Sequence, residues 1–290
     1  VLVGELAVAW LEWASREYRK DGAHTSEYPL CALAVKHLAD YADVPAAAFT
    51  PGMLRAVREV WVSQGLARKT VNGYAKRIVR MFKWGVGRQL VASTTADALK
   101  AVETLKAGRS LAKDRAPRKP VSAADVAAVL PHLPPVVASM VQLQRLAGMR
   151  PGEVCKLRPG DLDATADVWR YVVPGNKNQH RGKSQAYYFG PKAIATLTPH
   201  LDGVAADARV FPMARQRYWK AVRKACTGAG VPPWTPHQLR HSFATEVAGA
   251  FRSLDHAAAA IGDTAAVAQA VYVHLDPRER AKIEVAKAMG

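Results

Sequence analysis

The sequence predicts a mainly α-helical protein of two domains, the second carrying a small antiparallel β-sheet. Three observations lead there. Apolar residues recur at helical spacing in most segments, and alternating patterns are confined to two short runs. One stretch rich in Gly, Pro, Arg and Lys, residues 107–120, divides the chain. Of its 290 residues, 49% are hydrophobic and 22% charged, enough apolar surface to exclude a wholly disordered, collagen-like or coiled-coil chain.

In the first domain, 1–106, residues 2–18 form an amphipathic pattern, with Leu2, Leu6, Trp10, Trp13 and Ala14 at near-helical intervals. The polar run 20–29 turns the chain, helical pattern resumes over 30–38, and it breaks again in 43–49. Thr50 is placed to cap the next helix, with Pro51 at its first position and Gly65 at its end. A further helix over 69–88 would turn Ala75, Ile78, Val79, Phe82 and Val86 inward. At least four helices and no convincing strand make this an all-helical unit.

The second domain, 121–290, opens with Ser122 and Asp125 as a helix start, and a second helix covers 135–147. Residues 167–173 and 185–189 read as two short strands around a basic turn. Helices follow at 191–197 and 215–228, and from Pro236 onward the pattern is almost wholly helical.

Charge points to a partner. Lys and Arg number 41 against 24 Asp and Glu, a net +17, and such an excess repels itself unless an anion offsets it. Nucleic acid is the favoured anion; a membrane surface or a merely basic enzyme is the alternative. Between Arg55 and Arg88 nine basic residues face one acid, Glu59. Lys69, Lys76, Arg80 and Lys83 share a helix face, where a solvated surface would mix both signs, so they are candidate DNA-phosphate contacts. Arg115, Arg118 and Lys119 give the linker the same character.

Other classes are disfavoured. Cys31, Cys155 and Cys226 have neither zinc nor disulfide spacing and read as buried thiols in a reducing compartment. With no phosphate loop, dinucleotide fingerprint or HExxH, no cofactor and no metal is expected. The N-terminal apolar run holds Glu5 and Glu12 and does not read as a signal peptide. No run reaches the roughly 18 apolar residues of a membrane span, so no membrane partner is expected. The chain begins at Val1 rather than Met, which leaves open whether residues precede it.

Three segments combine polar chemistry with turn signals. In LAGMRPGEVCKL, 146–157, Arg150 lies between Gly148 and Pro151 with Glu153 three residues on. That is either a local ion pair or a guanidinium held still to grip a phosphate. In TPHQLRHSFAT, 235–245, Thr235 caps a helix on which His237 and Arg240 share a face, an arrangement suited to an anion. In VYVHLDP, 271–277, Tyr272 taken alone reads as a half-buried core residue.

Taken in order, and with the basic turn GNKNQHRGK at 175–183, these segments resemble the tyrosine recombinase, or phage integrase, family. The resemblance covers essentially the whole chain and is greatest to integrases of bacterial genomes and mobile elements. It implies a helical, SAM-like core-binding domain, then a linker, then a catalytic domain. Arg150 and Arg240 would hold the scissile phosphate, Glu153 would support the first of them, and His237 would contact phosphate or move a proton. Lys177, with Lys183 the poorer candidate, would protonate the departing 5′-oxygen, and Tyr272 would be the nucleophile. The resemblance further implies double-stranded DNA as partner and chemistry without cofactor or divalent metal. It also implies a homo-tetramer exchanging strands through a Holliday junction, with residues 278–289 docking on a neighbour. The setting would be the bacterial cytoplasm, at the nucleoid.

One position departs from the family. In AIGDTAAVAQAVY, 260–272, Gly262 is kept but Asp263 stands where the family carries His. A carboxylate repels a phosphate that His or Trp would bond. His256 lies seven residues earlier, about 10 Å along a helix, and is a poor substitute. Two readings follow: an active recombinase that tolerates Asp263, or a protein of this fold that retains only DNA binding. A type IB topoisomerase would share the phosphotyrosine strategy but relax DNA as a monomer. An RNA-binding or general basic protein would leave the ordered Arg, Lys, HxxR and Tyr series unexplained.

Overall fold

The structure, a computed structural model, describes residues 1–20, 22–175, 185–269 and 289. Lys177, Lys183, Tyr272 and the expected docking segment from 278 to 288 lie outside the described residues. The chain forms two compact units, Val1–Pro117 and Arg118–Gly290.

The first unit contains α1 (Val3–Glu17), β1 (Arg19–Lys20), β2 (Ala23–His24), α2 (Glu27–Lys36), α3 (Pro51–Ser63), α4 (Arg68–Val86) and α5 (Ser93–Lys100). α1 buries Val3, Leu6, Trp10 and Ala14, as its apolar spacing requires. α3 starts where expected: the Thr50 hydroxyl accepts the Met53 N–H at 3.3 Å, and Pro51 needs no partner in the first turn. α4 is rotated relative to the expected inner face. Val71, Tyr74, Ile78, Met81 and Phe82 go inside, whereas Ala75 and Val79 are only half-buried. Gly85 lies on the buried face, where a Cβ would lie 2.8 Å from Leu6 and 3.0 Å from Val91, so its missing side chain lets α4 seat closely there. Phe49 stacks on Phe82 with ring centres 5.1 Å apart.

The polar run after α1, expected as a plain turn, is a small antiparallel hairpin pairing Arg19 with His24 and Lys20 with Ala23. Arg19 Nη2 donates to the Gly22 carbonyl at 2.6 Å. Two-residue strands are too short to show an alternation. Further on, the Arg68 N–H donates to the Lys113 carbonyl at 2.9 Å, Arg68 Nε donates to Asp114 at 2.7 Å, and Ala112 is buried. These bonds hold residues 112–114 against the start of α4.

The second unit runs α6 (Ala123–Val129), α7 (Pro135–Ala147), α8 (Pro151–Val154), β3 (Leu162–Asp163), β4 (Trp169–Val172) and β5 (Ala186–Phe189). It continues with α9 (Pro191–Leu197), α10 (Arg215–Gly228), α11 (Pro236–Phe251), α12 (Leu254–Ile261) and α13 (Ala265–Val267). β3, β4 and β5 form an antiparallel sheet in that order, with Tyr171 opposite Tyr187 and Trp169 opposite Phe189. Alternation puts Tyr171, Tyr187 and Phe189 on one face, where they join the core formed by Val141, Leu143 and Leu239. The architecture is therefore mostly helical with a small antiparallel sheet. Among the described residues no helix is long and apolar enough to cross a membrane.

Candidate active site

The site is built where α7 ends. Gly148 closes that helix in the left-handed conformation, φ 65°, and a Cβ on it would lie 2.2 Å from the Phe243 ring of α11. Glycine is therefore needed twice, for the backbone angle and for the close approach of α11. The chain then turns into α8 through Arg150, extended at φ −70° and ψ 144°, with Pro151 at the first helical position. Glu153 folds back so that Oε2 accepts the Arg150 backbone N–H at 2.8 Å and Oε1 accepts Arg150 Nη1 at 3.2 Å. One carboxylate thus fixes both the backbone and the guanidinium of Arg150.

Arg240 comes from the second turn of α11, whose start is held by Gln238 Oε1 accepting the Thr235 N–H at 3.0 Å. The arginine side chain is 0% exposed, so its charge survives burial only with hydrogen-bond partners. Nη1 donates to the Gly148 carbonyl and to the Tyr187 hydroxyl, each at 2.9 Å. Nη2 donates to the Ile261 carbonyl at 2.6 Å and to Asp263 Oδ2 at 2.7 Å. The same Asp263 oxygen accepts Arg150 Nη2 at 3.3 Å. Tyr187 in turn donates to Glu153 Oε2 at 2.6 Å.

These bonds close a ring: Arg150, Glu153, Tyr187, Arg240, Asp263 and back to Arg150. Burial pushes the Tyr187 phenol well above its usual range, so it stays protonated and can donate. Below the ring, buried Gln144 Nε2 donates to the carbonyls of Met149 and Pro236 at 2.8 and 2.7 Å, while its Oε1 accepts the Tyr218 hydroxyl at 3.0 Å. Gln144 thereby ties the Arg150 turn to the start of α11.

His237 stands one turn before Arg240, its ring centre 5.3 Å from that of His241. Burial, then the positive charges of Arg240, Arg118 and Arg150, lower its pKa from 6.5, and Asp263 opposes them in part. The imidazole is therefore neutral at pH 7 and able to accept a proton.

The structure brings together Arg150, Glu153, Arg240 and Asp263, with His237 in their field. Lys177 and Tyr272 lie outside the described residues. His256 belongs to the first turn of α12, its ring stacked on Phe251 at 5.0 Å, so Asp263 rather than His256 is the α12-end residue bonded to the arginines. Sequence reasoning missed Tyr187 and Gln144. A faint signal existed for Tyr187: alternation with Phe189 turns it inward, and a buried phenol needs a partner.

The basic residues of the first unit divide. Lys69, Lys76 and Lys83 are exposed along α4. Arg80 instead pairs with Glu27, which also takes Arg77 at 2.6 Å, and its guanidinium lies 5.4 Å from the Tyr18 ring centre. Arg115 in the first unit and Arg118 and Lys119 at the start of the second are exposed, and the Lys119 carbonyl accepts from Gln238 at 3.0 Å. A basic surface not singled out from the sequence lies on α10, where Arg215, Arg217, Lys220, Arg223 and Lys224 are all exposed. Cys31, Cys155 and Cys226 are buried, and burial pushes the Cys155 thiol up to about 11. Among the described residues, no cluster of His, Cys, Asp or Glu is arranged to hold a metal ion.

Comparison with known proteins identifies the family and the fold. Residues 127–279 match the model of the phage integrase family. Tyrosine recombinase XerC of Xanthomonas axonopodis pv. citri is 24% identical over 292 residues, spanning 95% of this chain and 85% of its own length. Among solved structures, the Tn1549 transposon integrase in complex with transposon right end DNA shares the fold at a TM-score of 0.73 and 15% identity, covering 100% of both chains. A lambda integrase dimer bound to a COC′ core site does so at 0.70 and 16%, covering 94% of this chain and 96% of that one.

Proposed function

The chain belongs to the phage integrase family, and we propose from this premise that it is a site-specific DNA recombinase that cleaves and rejoins DNA through a 3′-phosphotyrosyl intermediate. The observation that carries the reading is the convergence of Arg150 Nη2 and Arg240 Nη2 on one anionic oxygen, at 3.3 and 2.7 Å. Two guanidiniums fixed in that way can hold a non-bridging phosphate oxygen. They stabilise the added charge of a pentacoordinate transition state more than they stabilise the ground state.

The remaining roles follow from the chemistry required. Tyr272 attacks the phosphorus; its phenol, with an ordinary pKa of about 10, needs its proton removed, and neighbouring cations favour the phenolate. His237, neutral at pH 7, is available as the acceptor. Lys177 protonates the 5′-oxygen, which would otherwise leave as a poor alkoxide. The phosphotyrosine keeps the energy of the broken ester, so rejoining needs no ATP. In this reading residues 1–106 are a SAM-like core-binding domain, 107–120 the linker and 121–290 the catalytic domain. Lys69, Lys76, Lys83, Arg115, Arg118 and Lys119 contact DNA phosphates, and four protomers act together on the duplexes at the nucleoid.

A specific observation favours a second reading, DNA binding without cleavage: Asp263 puts a carboxylate between the two arginines. Covalent trapping separates the two. Nicked suicide duplexes from the ends of the native element should yield a 3′-phosphotyrosyl adduct that mass spectrometry places on Tyr272, absent in Tyr272→Phe. Tight duplex binding with no adduct would establish the second reading instead.

A further inference from the structure

The two carboxylates of the ring are held very differently. Glu153 receives the backbone and side chain of Arg150 and the Tyr187 hydroxyl, and its side chain is 13% exposed. Asp263 is 22% exposed, lies just beyond Gly262 at φ 64°, and among the described residues meets the ring through Oδ2. That one oxygen stands where the Nη2 groups of both arginines point. A carboxylate oxygen and a phosphodiester oxygen are the same kind of acceptor for a guanidinium, each carried by a monoanion.

We propose that Asp263 is an internal anion occupying the phosphate position of Arg150 and Arg240, so that a DNA phosphate enters only by displacing it. Charge shows why displacement is needed. Two guanidiniums now balance two carboxylates. A phosphate entering beside an unmoved Asp263 would set three anions against two cations in a half-buried site, whereas exchange of Asp263 for phosphate keeps the balance. Asp263 thereby determines specificity. A tethered carboxylate competes at an effective concentration on the order of millimolar or more, which a lone phosphate does not overcome. A phosphate within a duplex held elsewhere by exposed lysines brings binding energy from remote contacts, and that energy drives the exchange. The ligand assignment, DNA phosphate, rests on the recombinase reading; the anion exchange does not.

Inorganic phosphate tests the exchange on the full chain. Binding is followed by calorimetry, with Arg150→Ala subtracted to remove uptake elsewhere on so basic a protein. The wild type should show no Arg150-dependent phosphate binding at millimolar concentration. Asp263→Asn, which keeps the shape and removes the charge, should gain a site at least about tenfold tighter than any in the wild type, and lose it when Arg150→Ala is added. Asp263→His serves as a second neutral replacement. Arg150-dependent binding in the wild type as tight as in Asp263→Asn would overturn the proposal. So would folded neutral variants that gain no site, or failure of both to fold, since either assigns the carboxylate a purely structural role. A gain of phosphate binding together with failed covalent trapping would leave this inference standing and overturn the enzyme reading alone.

Discussion

Tyr187 donates its hydroxyl proton to Glu153 across 2.6 Å, and the same oxygen accepts Arg240 Nη1 at 2.9 Å. The support of one arginine and the seat of the other therefore share a single phenol. Tyr187→Phe removes that oxygen and leaves a buried guanidinium N–H and a carboxylate oxygen each short of a partner. We expect a loss of about 1–3 kcal/mol in urea unfolding, the cost of stranding buried polar groups. On the recombinase reading, covalent adduct formation on DNA should fall further than the loss of folded protein explains, because both arginines lose preorganisation. Unchanged stability and unchanged cleavage would show that the phenol has no part in holding them.

Gly148 accepts Arg240 through its carbonyl and admits Phe243 through its missing side chain. Gly148→Ala forces a left-handed backbone on alanine and places a methyl 2.2 Å from a carbon of the Phe243 ring. Left-handed strain of about 1 kcal/mol and overpacking of about 1–3 kcal/mol act in the same direction. The expected result is a large drop in thermal midpoint, with Phe243→Ala partly restoring it in the double variant. Additive losses would show that the clash with Phe243 is not the cause.

Gln144 is a third such joint. Gln144→Leu keeps the volume but leaves the carbonyls of Met149 and Pro236 and the Tyr218 hydroxyl without their bonds. About 2–4 kcal/mol should be lost in chemical denaturation. Pairing it with Tyr218→Phe in a double-mutant cycle should return part of the loss, since each single change strands the other's group.

How far the sequence could be read depends on how local the determining interactions are. Thr50, Ser122 and the Pro and Gly residues that flank α7, α9 and α10 act within a turn or two of themselves, so those helices are found where the residues predict them. Arg150 with Glu153 and His237 with Arg240 are legible for the same reason, each pair being three residues apart. Tyr187 is 34 positions from Glu153 and 53 from Arg240, and only packing reveals that it joins them. The strands β1, β2 and β3 have two residues each, too few for a period. Arg80 shows the same limit from the other side. Its spacing places it with the lysines, yet Glu27, 53 residues away, claims it.

The depressed pKa of His237 has a pH consequence. In the folded chain the imidazole resists protonation, through burial first and then through Arg240 and its cationic neighbours, whereas in the unfolded chain it takes a proton at about 6.5. The unfolded state then binds more protons between the folded value and 6.5, so the folded form keeps its full advantage above 6.5 and loses part of it as pH falls below that value. Comparing wild type with His237→Gln by denaturant unfolding from pH 8 to pH 5 isolates this contribution. The wild-type curve should fall more steeply below 6.5, and parallel curves would contradict a desolvated imidazole.

On the α4 surface, exposure separates residues that spacing groups together. Lys69, Lys76 and Lys83 lie open to solvent, while Arg80 and Arg77 share the Glu27 carboxylate. Bonds from both arginines outweigh the burial of Glu27 and lower its pKa, which identifies a pair that stabilises the unit. Replacing the three lysines with Gln should weaken duplex binding and flatten its salt dependence by about 0.9 in slope for each phosphate that is no longer neutralised. The thermal midpoint should hardly move, because an exposed lysine touches little. Arg80→Gln should do the reverse, lowering stability by about 1 kcal/mol with a salt slope close to wild type. A common effect of all four substitutions on the salt slope would return Arg80 to the phosphate-binding stripe and mean that Glu27 releases it when DNA binds.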